Sequence, residues 1–164
     1  MEDLTAGELW ARREQLENDA ALQLGYMIFE FSRLDVNLGL CLVWVDGGAK
    51  LESLTKSVAD LNLKGKLDEL ESHVNAKLPV GSKRRKAYDA WIERAHSIRQ
   101  QRNSLVHGRW GVEAHLNKVV NVLGLPTSDT QREFHHGIDE LVAINEELRF
   151  LQCELSRLRE HWPL

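Results

Sequence analysis

The chain has 164 residues, 28% charged and 43% hydrophobic, with a formal net charge of −4. That length suits one domain spanning residues 1–164. The mixture excludes a disordered or collagen-like chain, and the acidic total excludes tight non-specific nucleic-acid binding by the molecule as a whole.

Cys41 and Cys153 match no metal spacing and point to a reduced, cytoplasmic chain. Met1-Glu2-Asp3 lacks the basic start of a signal peptide, and Glu30, Arg33 and Asp35 interrupt the most apolar stretch, Ala20 to Val45. No membrane association is therefore expected.

Thr5-Ala6-Gly7-Glu8 has capping-box spacing and predicts a helix from near Ala6 that either restarts at Asn18 or Asp19 or runs on. Leu24, Met27, Phe31, Leu34, Leu38, Cys41 and Val45 then form one stripe, with Gly25, Ile28, Asp35 and Leu42 beside it. The expectation is a helix buried over a wide arc and ended by Asp46-Gly47-Gly48. Lys50 to Asp60 is ambiguous. Leu63, Leu67, Leu70, Val74 and Leu78 predict a further amphipathic helix closed by Pro79 and Gly81.

Ser82 can cap the next helix, whose seam reads Tyr88, Trp91, Ala95, Ile98, Arg102, Leu105. Past Gly108 the pattern shifts to Val-rich runs, Arg109 to His115 and Val119 to Leu123, around Leu116-Asn117-Lys118. This reads as a β-hairpin, with a loop after it at residues 126–130. A heptad of Leu141, Ile144, Leu148, Leu151, Leu155, Leu158 and Trp162 closes the chain. The predicted fold class is all-α: an antiparallel bundle of four to five helices with a small β-hairpin before the last one.

Arg102 breaks its seam, and His107 comes five residues later, an advance of about 140° and 7.5 Å along a helix. An arginine in an apolar stripe is costly unless it is paired or opens onto water. Asp35 is one mate for it, in a purely structural ion pair. The other reading is chemical: a guanidinium stabilises charge building on phosphate oxygens, and an imidazole exchanges a proton near neutrality. His107 alone also suits a helix C-terminus through the macrodipole.

The run Arg102-Asn103-Ser104-Leu105-Val106-His107 resembles the Arg-x(4–6)-His signature of the HEPN superfamily (higher eukaryote and prokaryote nucleotide-binding domains). Phe29-Glu30-Phe31-Ser32-Arg33-Leu34-Asp35 is similar to that family's first core helix. The resemblance covers about residues 20–158 and implies a dimeric, metal-independent endoribonuclease of toxin or phage-defence type, using no cofactor. It makes Arg102 and His107 catalytic, Asn103 a supporting residue and Asp35 the one acidic counterpart. It also implies a neutralising protein such as a nucleotidyltransferase. Members silenced by such a partner carry Tyr two positions after the His, where this chain has Arg109.

From Lys83 to Arg109 there are eight Lys+Arg and two acids, a +6 segment in a net-negative chain. Lys83, Arg84, Arg85 and Lys86 sit at a helix N-terminus, where the macrodipole disfavours cations. With Arg99 and Arg109 they are candidate RNA contacts, or else a solvated basic turn paired with acidic neighbours. Trp110 would stack on a base or pack the hairpin. His135-His136 lack a third ligand at usable spacing, so no metal site is expected. The expected function is cleavage of single-stranded RNA by 2′-OH transesterification at a dimer cleft. The alternatives are a non-catalytic helical dimerisation or partner-binding module, or an RNA-binding protein without turnover.

Overall fold

The structure, a computed structural model, describes residues 4–164, so Met1-Glu2-Asp3 lie outside the described residues. The described chain is mostly helical. Its elements are α1 (Ala6–Val43), a 3-10 turn (Val45–Gly48), α2 (Leu51–Ala59), α3 (Leu63–Lys77), α4 (Lys83–His107), β1 (Arg109–Glu113), β2 (Lys118–Leu123), β3 (Arg132–His136) and α5 (Ile138–His161). No helix among the described residues is long and apolar enough to cross a membrane.

The first helix runs on without a restart, so α1 is 38 residues and about 57 Å long. Its start is the expected capping box: the Thr5 N–H donates to Glu8 Oε2 at 2.8 Å and the Glu8 N–H to Thr5 Oγ1 at 3.3 Å. The Thr5 hydroxyl, which donates to Glu8 Oε2 at 2.6 Å, and the Thr5 N–H hold the Glu8 carboxyl below its ordinary pKa. At the other end Asp46 and Gly47 take left-handed backbone (φ 55° and 65°), which breaks the helical run. The ambiguous segment at residues 50–60 is helical as α2. Ser82 Oγ accepts the Arg85 N–H at 3.2 Å, the expected cap of α4.

Two expectations need correction. The arc buried on α1 is narrower than the apolar pattern implied, because Ile28 is 55% exposed although Leu42 is fully buried. The fold is also not purely all-α: the hairpin gains a third strand, giving an antiparallel sheet in the order β1-β2-β3. Register pairs Gly111 with Val120, and Asn121 with Trp110 on one side and Phe134 on the other. Strand β3, Arg-Glu-Phe-His-His, carries no apolar alternation because its side chains are mostly exposed; only its backbone pairing makes it a strand. Asn117 turns the β1–β2 connection in left-handed backbone (φ 52°).

Residue contacts divide the chain into two compact units: the described part of Met1–Ile28 with Gln101–Glu146, and Phe29–Gln100 with Glu147–Leu164. The first unit buries Leu16, Ala20, Met27, Leu105, Val119 and Leu141. It contains a buried Asn145, whose amide donates to Gln23 O and Oε1 at 3.0 and 2.9 Å. The second unit is helical and fully buries Leu34, Leu38, Leu67, Leu70, Val74, Tyr88, Leu148 and Leu151. Buried tyrosine and tryptophan need partners for their polar atoms. Trp91 Nε1 donates to Leu151 O at 2.9 Å, and Tyr88 Oη to Trp162 O at 2.9 Å.

A buried carboxylate also holds the second unit together. Glu30, 6% exposed, accepts from Arg33 Nη1 (2.9 Å), Arg149 Nε (3.1 Å) and Gln152 Nε2 (2.9 Å). Burial pushes its pKa up, but the bonds from Gln152 and Arg149 and the two arginine charges outweigh it, leaving the carboxyl below its ordinary value. A carboxyl depressed in the folded state stabilises the fold above its unfolded pKa of about 4.3, and that stability disappears as pH falls through the folded value. Glu30→Gln is expected to lower stability at pH 7 by about 1–3 kcal/mol. In urea unfolding, the gap between variant and wild type should close as the pH is taken below about 4.

Candidate functional site

Helix α4 ends where its apolar seam delivers Leu105 to the core and leaves the rest of the last two turns partly open. Arg102 and Asn103 are half-buried, and His107, the final helical residue, is exposed. Arg102 Nη1 donates to Asn103 Oδ1 at 3.3 Å, so the residue after the arginine orients the guanidinium.

The last carbonyls of a helix have no partner within it and must find one elsewhere. Here the sheet supplies it. Asn121, 1% exposed on β2, donates through Nδ2 to Leu105 O at 3.0 Å and to Ser104 O at 3.4 Å. Trp110 Nε1 on β1 donates to the same Leu105 oxygen at 3.0 Å. Gly108 permits this approach, because a Cβ at that position would overlap the Asn121 carboxamide. The stretch carrying Arg102, Asn103 and His107 is thereby pinned by two side chains from the strands after it.

Other candidates are placed differently. The Asp35 carboxylate binds Lys66 Nζ at 2.6 Å, with the lysine side chain only 9% exposed. The sequence offers Asp35 as a mate for Arg102; the partner seen on its carboxylate is Lys66. Its signal in the sequence was obscured because the α3 stripe at 63, 67, 70 and 74 makes position 66 look like a flank. Arg85 is engaged by Asp89 at 2.8 Å and by Asn75 Oδ1, which leaves Lys83, Arg84 and Lys86 exposed on the first turn of α4. That turn lies at the opposite end of a 25-residue helix, about 36 Å long, from the Arg102–His107 turns.

Arg99 is half-buried, and Arg109 is exposed and donates to Gln131 Oε1 at 3.1 Å. Trp110 is half-buried, its N–H is used by α4, and its ring lies 5.9 Å from that of His136. It packs the sheet onto the helix end. His135 Nδ1 meets Glu113 Oε2 at 2.8 Å and His136 Nδ1 meets Glu140 Oε2 at 3.3 Å. No group of three or more His, Cys, Asp or Glu among the described residues is placed to hold a metal ion.

Sequence reasoning passed over Asn121 and Gly108. The signal for Asn121 was present: in Val119-Val120-Asn121-Val122-Leu123 the amide shares a face with buried Val119. A polar residue at a core position of a strand needs partners, and helix-end carbonyls are a ready source.

Comparison with known proteins finds no similarity: no protein-family model, no curated protein and no solved structure matches the chain.

The pinning makes a definite forecast. Asn121→Ala removes the amide that donates to the buried Leu105 carbonyl and the part-buried Ser104 carbonyl and is expected to cost about 1–3 kcal/mol. Gly108→Ala forces the amide out of place and should cost at least as much, about 2–4 kcal/mol. Urea denaturation of both variants checks this, and amide hydrogen exchange should rise first at residues 104–108.

Proposed function

We propose that this chain is a HEPN-type, metal-independent endoribonuclease acting in the cytoplasm on single-stranded RNA, built as an antiparallel bundle of four to five helices. The observation that supports it is an exposed imidazole and a half-buried guanidinium, joined to Asn103, on the last two turns of a helix whose end is fixed by Asn121 and Trp110. Fixed geometry matters here, because transfer of charge to phosphate oxygens is helped only by donors already in place.

In this reading His107 removes the proton from a ribose 2′-hydroxyl. The resulting alkoxide attacks the adjacent phosphorus, and Arg102 neutralises charge on the equatorial oxygens. The 5′-oxygen leaves with a proton from the imidazolium of a second copy, giving a 2′,3′-cyclic phosphate. One chain has one such imidazole, and a symmetric dimer supplies both acid and base. Lys83, Arg84 and Lys86, with Arg99 and Arg109, serve the RNA strand beyond the reacting phosphate. A toxin or defence role with a neutralising protein, such as a nucleotidyltransferase, belongs to the same proposal.

A second reading, a non-catalytic helical interaction module, is favoured by one observation: large apolar residues lie exposed along α1. The decisive assay incubates single-stranded RNA in EDTA with wild type, Arg102→Ala and His107→Ala. The nuclease reading expects cyclic-phosphate ends from wild type and a loss of about 10²-fold or more in each variant, with folding preserved. Equal cleavage by His107→Ala refutes it. Collapse of Arg102→Ala by several kcal/mol in denaturation assigns the arginine a structural role instead.

A further inference from the structure

Helix α1 is apolar on two faces. One sends Met27, Leu34, Leu38 and Cys41 into the core. The other carries Leu22, Tyr26, Phe29, Arg33, Val36 and Leu40 at alternating steps of four and three, the spacing of a coiled-coil seam. This second stripe is uncovered: the five apolar residues are 44–64% exposed and the Arg33 side chain is 61% exposed. Trp44, just past the helix, continues it at 51%. A surface helix ordinarily places polar residues there. The stripe exposes on the order of 600 Å² of apolar side chain, the upper end for a monomer and close to the ~800 Å² per partner of a stable interface.

We propose that this face is the seam of a homodimer in which α1 packs antiparallel on α1 of a second copy. Symmetry points to a second copy as the occupant. The step order 4-3-4-3-4 reads the same from either end, so an antiparallel copy presents knobs in matching register. Leu22 then faces the partner's Leu40, Tyr26 the partner's Val36, and Phe29 the partner's Arg33, each pair occurring twice. Charge sets the direction. A parallel pairing would bring the two arginines together in the seam, whereas the antiparallel one lays each guanidinium on an aromatic face, an interaction arginine favours. Arg33 also keeps Nη1 on its own Glu30 at 2.9 Å, so the cation entering the seam is already partnered.

The seam uses α1 alone and holds whether or not the chain cleaves RNA, although the nuclease reading also calls for a second copy. Sedimentation equilibrium of the full chain at micromolar concentrations is expected to show a dimer. Phe29→Glu and Val36→Glu should each raise Kd by at least about 30-fold, the effect of a typical central interface residue. Both sites are exposed, so circular dichroism and the thermal midpoint of the variants should stay near those of wild type, which separates lost association from lost folding.

Register is read by cross-linking in a Cys153→Ser background. Tyr26→Cys and Val36→Cys chains should form an oxidised dimer when mixed and neither should do so alone. A monomeric wild type, a dimer indifferent to both glutamates, or self-cross-linking of either single cysteine overturns the proposal. Dimerisation of His107→Ala alongside loss of its cleavage supports the seam while bearing separately on the nuclease.

Discussion

The carbonyl oxygen of Leu105 accepts from both Asn121 and Trp110, and the order of the candidate site depends on that junction. A helix end is where backbone acceptors run out of partners, and burying them without replacements would cost several times what a surface bond contributes. The chain solves this by sending the next two strands back across the end it has just left. Gly108 makes the turn possible because no side chain stands between the helix and the amide. Strands β1 and β2 therefore determine how rigidly the last turns of α4 present Arg102 and His107.

The charged residues of this protein fall into two physical classes. Glu30 and Lys66 are buried, and each is matched: Glu30 by Arg33, Arg149 and Gln152, Lys66 by Asp35. Such groups are tolerated because their partners replace the water they lost. Lys83, Arg84, Lys86 and His107 stay exposed. The half-buried Arg102, joined to Asn103, lies between these classes, and an anionic ligand would gain most from a cation in such a setting. The nuclease proposal draws on this placement and the interaction-module reading on the apolar stripe of α1, so the two rest on different surfaces.

Apolar periodicity was sufficient for the longer helices, though not for α2. The seams at 63–78 and 88–105 and the breaks at Pro79 and Gly108 placed α3 and α4 almost to the residue, and the heptad from Leu141 gave the body of α5, because an amphipathic stripe and a helix stop are local properties. Strand β3 was not legible, since its side chains are largely solvated and its identity comes from backbone bonds to β2. Nor was the exposure of Ile28: an apolar residue reads the same whether its face meets the core or water.

The sequence by itself determined that the stretches of α1, α3, α4 and α5 are helical, where α1, α3 and α4 stop, and that Arg102 interrupts an apolar seam. Only the tertiary structure decided who meets whom: Asp35 with Lys66, Asn121 with the carbonyls of Ser104 and Leu105, Glu30 with Arg149. The reason is physical. Helix periodicity is written within a few residues along the chain, whereas the partner of a buried polar group is set by packing between segments that lie 16 to 119 residues apart.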